Sequence, residues 1–281
     1  MRTYTRIENL QDCLIEYKKS GNTIGFVPTM GALHFGHISL IKSSNDNNDI
    51  TVCSIFINPT QFNNNDDLIS YPKTIDTDLE LLKKANCDIV FIPDVETMYP
   101  KNDAIIDFNF GSLELVMEGK DRPGHFQGVG TIVKKLFDII EPNKAYFGKK
   151  DYQQLLIIKD LTRQYKLTPK IIGCEIIRED DGLAMSSRNT RLTKEQRNEA
   201  PFIRQTMLWA KENMENYSPN DLTKEVERRI NSNPLMEINY FEISETDTLI
   251  KCKKWNNGTD YTAFIVVSMG DIRLIDNIEL F

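Results

Sequence analysis

Two histidines three residues apart stand at the point of the sequence best suited to chemistry. His34 and His37 lie in the stretch VPTMGALHFGHISLI, where a short apolar run is followed by a helical pattern. Gly31 and Gly36 leave the backbone uncovered, and the N-terminus of the following helix offers N–H groups and a positive dipole end to phosphate. The pattern predicts a nucleotide site; the alternative is a pair of histidines that only cap or pack the helix.

A second group of charged residues follows a different apolar run. The stretch YFGKKDYQQLLIIKDL places Lys149, Lys150 and Asp151 between a predicted strand and a predicted helix. The carboxyl ends of parallel strands line the binding crevice of an open sheet, where lysines neutralise phosphate and a carboxylate accepts hydrogen bonds from ribose. Read alone, the segment is equally compatible with a solvated charged turn.

Two hydroxyl groups and a guanidinium meet in a third stretch, IIREDDGLAMSSRNTRL. Ser186, Ser187 and Arg188 follow an acidic turn that contains a glycine. Arginine gives forked donors to phosphate oxygens, and paired serines add neutral donors, so the combination suits a polyphosphate. When the segment is taken alone, an ordinary helix cap is the favoured interpretation.

The elements that must position these residues alternate between strand and helix. Apolar runs predict strands at residues 23–28, 49–57, 87–92, 144–147 and 168–177. Helical spacing predicts helices at 9–19, 74–85, 130–140 and 152–165, with a further helix after Gly36. This alternation predicts an α/β fold, with a parallel sheet covered by helices on both faces, over residues 1–176.

The pattern changes after about residue 176. Helical stretches at 194–213 and 219–232 precede a segment, TDYTAFIVVSMGDIRLIDNIEL, that is typical of antiparallel strands around a turn at Met269, Gly270 and Asp271. We therefore expect a second, small α+β C-terminal domain at residues 177–281.

Charge and composition narrow the range of partners. Lys and Arg number 34 against 41 Asp and Glu, a formal charge of -7 that disfavours nucleic acid or an anionic membrane. The five cysteines are widely spaced without a CxxC pair, so we expect reduced thiols and no protein metal site. With neither a secretory h-region nor an apolar run of ~20 residues, a cytoplasmic location is expected.

Taken together, the segments resemble one known family. The stretches PTMGALHFGHISL, SIFINPTQF, YPKTIDTD, EGKDRPGHFQGV, YFGKKDYQQ and REDDGLAMSSRN occur in order between about residues 23 and 193 and resemble those of the pantothenate synthetases. The HxGH turn alone marks only a wider superfamily of nucleotidylyltransferases and class I aminoacyl-tRNA synthetases. The stretches NPTQF, GKKDYQQ and GLAMSSRN are more discriminating as a set.

The resemblance implies a Rossmann-like catalytic domain, a C-terminal lid domain and a homodimer. It also implies an enzyme that uses ATP with Mg²⁺ to activate pantoate as an acyl adenylate, releasing pyrophosphate, and then transfers the pantoyl group to β-alanine with release of AMP. The residues that it places at ATP are Met30, Gly31, Ala32, Leu33, His34, Phe35, Gly36, His37, Gly148, Lys149, Lys150, Asp151, Ile177, Met185, Ser186, Ser187 and Arg188.

Family roles carried to matching positions also identify substrate and catalytic residues. Pantoate is expected to contact Gln61 and Gln154, with Asn58 and Thr29 nearby, and Gln61 also to meet β-alanine. The residues expected to stabilise the charge that develops on phosphate are His34, His37, Lys150 and Arg188, with His37 the presumed proton donor.

Two other interpretations are left open by the residues. A different HxGH nucleotidylyltransferase, acting on a phosphorylated precursor, would be expected to carry arginines in place of Gln61 and Gln154. A silent nucleotide-binding regulator would be expected to lose part of the four-residue set of His34, His37, Lys150 and Arg188, all of which are present.

Some polar residues near these motifs are assigned structural roles. Asp76 and Asp78 are interpreted as acids that cap and charge the first turn of their helix. His125, in RPGHFQG, is interpreted as a structural or substrate-gate residue rather than a catalytic one.

Overall fold

Short runs of β-branched and aromatic residues organise the first of two units in the chain. The computed structural model describes residues 1–63, 65–101 and 106–281. The first unit comprises Met1–Lys149 and Gln154–Glu175, and the second comprises Lys150–Gln153 and Ile176–Phe281. The residues Lys150–Gln153 therefore belong to the second unit although both of their flanking segments belong to the first.

Six parallel strands form the sheet of the first unit, in the order β1-β4-β3-β2-β5-β6. The strands are β1 (Arg2–Tyr4), β2 (Ile24–Thr29), β3 (Ile50–Ile55), β4 (Ile89–Phe91), β5 (Lys144–Gly148) and β6 (Lys170–Cys174). Strands β2 and β3 pair along their full lengths, and β5 pairs with the other edge of β2. The strand order thus reverses at β2, and in open parallel sheets ligands bind beyond the carboxyl ends of strands at such a point.

Successive residues of the central strands pack into two different hydrophobic clusters. Phe26 and Val52 belong to one cluster, whereas Val27 and Cys53, the next residues along β2 and β3, belong to the other. Because neighbouring side chains of a strand point to opposite faces, both faces of the sheet are buried. This explains why the strands read as continuous apolar runs, and it confirms the predicted α/β architecture.

Helices cover the two faces of this sheet. Residues of α1, α7 and α8 pack into the cluster that contains Phe26, and residues of α2 and α4 pack into the cluster that contains Val27. The helices of this part of the chain are α1 (Ile7–Lys19), α2 (Phe35–Asn45), α3 (Asn65–Ile69), α4 (Ile75–Lys84), α5 (Val95–Met98), α6 (Met117–Asp121), α7 (His125–Ile140) and α8 (Tyr152–Gln164).

The second unit contains a three-stranded antiparallel sheet with helices. Its strands, in the order β7-β8-β9, are β7 (Glu237–Glu245), β8 (Tyr261–Met269) and β9 (Ile272–Glu279). Its helices are α9 (Lys194–Glu199), α10 (Phe202–Asn213) and α11 (Pro219–Asn231). Apolar residues of α10 and α11, among them Met207, Val226 and Ile230, share one core with the strand residues Phe241 and Ile265.

Most predicted elements are present, but the short helices α3, α5 and α6 were not predicted, and the predicted helical stretch 194–213 is divided into α9 and α10. β1 and β7 were not predicted: β1 is only three residues long, and β7 is a partly exposed strand whose apolar residues are interrupted by Glu237, Asn239 and Glu242. The helix predicted from residue 130 begins earlier, at His125, because Gly124 takes a left-handed conformation, with φ of 82°, immediately before it. None of the helices among the described residues is long and apolar enough to cross a membrane.

Candidate active site

The HxGH turn connects the carboxyl end of β2 to the N-terminus of α2. Gly148, at the end of β5, is followed by Lys149 in a 3₁₀ turn. Because β2 and β5 are adjacent and parallel, their carboxyl ends lie at the same edge of the sheet. The fold therefore places the HxGH turn and the predicted residues Gly148 and Lys149 along one edge.

Two consecutive residues in left-handed conformations give the turn its shape. The φ angles of Gly31 and Ala32 are 82° and 50°. A Cβ atom on Gly31 would lie 3.0 Å from a carboxylate oxygen of Asp78, so a side chain there would crowd that contact. Thr29 holds the start of the turn, because its hydroxyl donates to the Ser54 carbonyl at 2.7 Å and accepts the Gly31 N–H at 3.3 Å.

Asp78 anchors the middle of the turn. Its two carboxylate oxygens accept the backbone N–H groups of Ala32 at 2.9 Å and Leu33 at 2.8 Å. The side chain is buried, and Thr74 donates a further hydrogen bond to it at 3.2 Å. The interpretation of Asp78 as only a first-turn acid missed this role. The signal was its spacing, since Asp78 lies four residues before the buried Leu82 and so on the apolar face of α4.

His34 and His37 cap α2 reciprocally. His34 is the N-cap residue, and its Nδ1 accepts the Gly36 N–H at 3.1 Å, while Nδ1 of His37 accepts the His34 N–H at 3.3 Å. The ring centroids lie 4.1 Å apart. The cap and the nucleotide site were posed as alternatives, yet in this geometry the histidines cap the helix through Nδ1 alone, so the cap does not exclude a role of Nε2 in chemistry.

The cap determines which nitrogen of each imidazole can donate. A neutral imidazole that accepts a hydrogen bond at Nδ1 carries its proton on Nε2. Both His34 and His37 therefore present an Nε2–H donor at the N-terminus of a helix. Donors and a positive dipole end at one place suit an anion such as phosphate.

Asn58 and Gln61 form a second polar group in the first unit. Asn58 precedes the 3₁₀ turn Pro59–Gln61, and its Nδ2 donates to Gln61 Oε1 at 3.2 Å and to the Gly128 carbonyl at 3.1 Å. Gln61 Nε2 in turn contacts Met30 Sδ at 2.9 Å. The structure thus brings together Met30, Asn58 and Gln61, three residues that the sequence interpretation placed at ATP or pantoate.

Three further predicted residues of the first unit have different surroundings. Lys149 forms an ion pair with the exposed Glu175. Gln154 lies half-buried in the first turn of α8. Phe35, within the HxGH motif, is 69% exposed.

The remaining predicted residues belong to the second unit. The Met185 N–H donates to the Ile177 carbonyl at 3.0 Å, so these two predicted positions are neighbours. Ser186 caps the 3₁₀ helix Ser187–Arg191, and its hydroxyl accepts the Arg188 N–H at 3.3 Å. Lys150 and Asp151 are also in this unit, where Nζ lies 3.8 Å from the Asp151 carboxylate.

An ion pair between a partly buried arginine and a buried aspartate holds the turn at Gly182, four residues before Ser186. Arg178 donates to both carboxylate oxygens of Asp276, at 2.7 and 2.9 Å, and also to the Gly182 carbonyl at 3.1 Å. Asp276 is buried, and breaking such a pair from one side leaves an uncompensated charge. Neither residue was singled out from the sequence, because a pair 98 residues apart has no local signal.

The described residues contain no group of three His, Cys, Asp or Glu side chains arranged to hold a metal ion. Asp78, the acid beside the HxGH turn, directs both oxygens at backbone N–H groups. Mg²⁺ commonly keeps several waters and binds through substrate phosphates. The site therefore fits a metal ion carried by a polyphosphate better than one held in a protein cage.

The family model and the similar proteins agree on one family, and each match covers almost the whole chain. The family model described as Pantoate-beta-alanine ligase matches residues 2–279. A pantothenate synthetase from Flavobacterium psychrophilum is 49% identical over 281 residues, covering 100% of both chains. One from Bacteroides fragilis strain YCH46 is 46% identical over 279 residues, covering 99% of each.

Two solved structures that are similar to this chain come from the same family. The crystal structure of pantothenate synthetase from Thermus thermophilus superposes with a TM-score of 0.93 at 36% identity, covering 100% of both chains. A pantoate-beta-alanine ligase from Francisella tularensis, complexed with beta-gamma ATP and beta-alanine, gives a TM-score of 0.82 at 34% identity and covers 100% of this chain and 98% of that one.

Proposed function

The chain belongs to the pantoate-beta-alanine ligase family, and from that premise we propose which of its residues carry out the reaction. The enzyme joins pantoate to β-alanine at the expense of ATP. A carboxylate oxygen of pantoate attacks the α-phosphorus of ATP. The bond between this phosphorus and the oxygen that links it to the β-phosphorus breaks, and pyrophosphate leaves. The β-alanine nitrogen then attacks the acyl carbon of pantoyl adenylate, loses a proton, and displaces AMP to give pantothenate.

His34 and His37 stabilise the negative charge of the first step. Two anions meet when a carboxylate attacks a phosphate, so the site must offer donors where charge accumulates on the phosphate oxygens. The observation that carries this assignment is the reciprocal cap, because it presents Nε2–H of both imidazoles at the N-terminus of α2. His37 is assigned as the proton donor, in line with the family resemblance.

The turn and the helix N-terminus form the remainder of the phosphate site in the first unit. We assign ATP contacts there to the segment 30–37 and to Gly148 and Lys149. In the second unit we assign them to Lys150, Asp151 and Ile177 and to the segment 185–188. The latter assignments rest on the family motifs, and the charges of Lys150 and Arg188 suit polyphosphate.

Gln61 and Gln154 orient pantoate. Amide groups bind a carboxylate and hydroxyls without adding charge beside the phosphates, so they suit this substrate. Gln61 also meets β-alanine in this proposal. We place Asn58 and Thr29 near pantoate as well; Asn58 also donates to Gln61, and Thr29 holds the start of the HxGH turn.

Mg²⁺ would be held by the phosphate oxygens of ATP and by water, without a protein ligand set. When bound, it neutralises charge on the phosphates that are transferred and released. The protein acts as a cytoplasmic homodimer in this proposal; the family resemblance supports both statements. Light scattering on a size-exclusion column, where a mass near twice 32.4 kDa is expected, tests the dimer.

The function is tested by AMP and pyrophosphate release from ATP, Mg²⁺ and pantoate, with and without β-alanine, and by mass detection of pantothenate. Product that requires all three substrates supports the assignment. Absence of turnover by folded protein would overturn it. Omission of Mg²⁺ in the same assay tests the metal requirement separately.

A further inference from the structure

Gln61 is held at its side chain and at its backbone by different residues. Its Oε1 accepts from Asn58. Its backbone carbonyl accepts from Nδ1 of His125 at 2.8 Å and from Nη2 of Arg122 at 3.3 Å. One residue is therefore fixed in place by two separate hydrogen-bonded groups of the first unit.

Backbone groups determine the orientation of the Asn58 amide. The Gly128 carbonyl can only accept, so the Asn58 atom that faces it, at 3.1 Å, must be nitrogen. The Thr60 N–H can only donate, so the atom that faces it, at 3.4 Å, must be oxygen. The Tyr99 hydroxyl donates to the same oxygen at 2.7 Å and strengthens this orientation.

The orientation of Asn58 in turn sets that of Gln61. Both N–H groups of Asn58 are used, one on Gly128 and one on Gln61, so the Gln61 atom facing Asn58 is its oxygen. The opposite side of the Gln61 amide is then Nε2, which contacts the weak acceptor Met30 Sδ. Gln61 consequently meets a ligand with N–H donors, which match the oxygens of a carboxylate or hydroxyl.

His125 has the opposite tautomer to the two histidines of the HxGH turn. Because Nδ1 faces a carbonyl, it must carry the proton, and Nε2 then accepts from Nη1 of Arg122 at 3.4 Å. The imidazole is buried. His125, interpreted from the sequence as a structural or gating residue, thus has a specific partner, the carbonyl of Gln61.

We propose that Tyr99 and His125 are positioning residues for pantoate, acting through Asn58 and Gln61 respectively, and that together they fix Gln61 as a hydrogen-bond donor to the substrate. This inference rests on the proposed role of Gln61 in binding pantoate. Neither side chain needs to touch the substrate. Their effect is to keep a flexible glutamine in the one orientation that suits an oxygen-rich ligand.

Tyr99→Phe provides the most conservative test, because it removes only the hydroxyl and keeps the ring packed near Phe56. The expected result is a rise in KM for pantoate of about two- to tenfold, the effect of one neutral hydrogen bond. KM for ATP and the melting temperature should remain near their wild-type values. Tyr165→Phe, at a ring packed on Phe108, is the matched control and should leave both KM values unchanged.

His125 is tested by a pair of substitutions. His125→Leu removes the donor to Gln61 and is expected to raise KM for pantoate. His125→Asn keeps an N–H near the Nδ1 position, so its KM for pantoate should lie close to the wild-type value. If the leucine variant does not fold, Tyr99→Phe and His125→Asn still decide the outcome. An unchanged pantoate KM in Tyr99→Phe, or equal rises in both KM values with a lowered melting temperature, would overturn the proposal. An inactive wild-type enzyme would instead refute the proposed function.

Discussion

His34 and His37 each cap α2 through Nδ1, which leaves the proton of each neutral ring on Nε2. Each uses Nδ1 to accept a backbone N–H of the same turn, and their ring centroids are 4.1 Å apart. The structural task of each ring fixes its tautomer, and the tautomer fixes which ring nitrogen can act as a donor. Substitutions that separate the two nitrogens can therefore separate the two tasks.

Replacement of His37 by asparagine should preserve folding and remove catalysis. The asparagine oxygen can take the place of Nδ1 in the cap, but its side chain does not reach the position of Nε2. We expect kcat to fall by about 10²–10³-fold, as for the loss of one transition-state donor, with little change in melting temperature. His37→Gln, which extends an N–H toward the Nε2 position, should retain more activity. Wild-type kcat in His37→Asn, measured by AMP formation, would contradict the assignment.

Asp78→Asn should disturb the HxGH turn because an amide nitrogen cannot accept a backbone N–H. One of the bonds from Ala32 and Leu33 is lost, and a buried donor is left unsatisfied at a cost of about 1–3 kcal/mol of unfolding free energy. KM for ATP should rise as well. Asp76→Asn is the matched control, since it removes the same charge from the same turn of α4 at an exposed position. Equal effects of the two variants in urea unfolding would show that only helix charge matters.

Gly128→Ala should push α7 away from the turn that carries Gln61. An added Cβ would lie 2.4 Å from the Thr60 carbonyl oxygen, too close for backbone that cannot move independently. We expect a destabilisation of about 1–3 kcal/mol together with a raised KM for pantoate. Gly130→Ala is the control on the same helix, because the atoms nearest to its Cβ would be those of the Phe108 and Phe110 rings, at 3.0 Å or more. An unchanged KM for pantoate in Gly128→Ala would contradict this expectation.

The buried thiols should make stability decline in alkali. Burial raises the pKa of Cys87 to about 12 and raises the pKa of Cys53 well above its ordinary value. The unfolded chain releases these protons near the ordinary thiol pKa. The contribution of the buried thiols to the free energy of unfolding is therefore complete below that pH, and it is lost as the pH rises toward the thiol pKa of the folded protein. Denaturant unfolding from pH 8 to 10.5 should show this loss, with a smaller slope in Cys87→Ala. Identical slopes would exclude the thiol contribution.

ATP binding should slow amide hydrogen exchange in residues 185–193. The proposed contacts of Ser186, Ser187 and Arg188 with phosphate would order this segment. Strand β8 serves as the internal control, because it is paired on both sides and should be protected with and without ligand. Exchange in residues 185–193 that is the same with and without ATP and Mg²⁺ would argue against a role of the segment in binding.

The sequence predicted the sheet because its strands are buried on both faces and therefore read as uninterrupted apolar runs. It also identified the HxGH turn, whose glycines and histidines are adjacent in the chain. It did not identify contacts made across the fold, such as Asp78 with Ala32 or His125 with Gln61. A carboxylate or imidazole at a helix start has the same local pattern whether it faces solvent or a distant backbone group.

Strand β2 also limits which changes in chain length the enzyme can tolerate. Its side chains alternate between the cluster with Phe26 and the cluster with Val27, and its register with β3 continues up to Thr29, where the HxGH turn begins. Deletion of one residue would exchange the two faces or shift the turn by one pleat relative to β3. Natural variation in this strand should therefore consist of substitutions of similar volume. Insertions and deletions should occur only in loops other than the one that caps α2 and the one that holds Gln61.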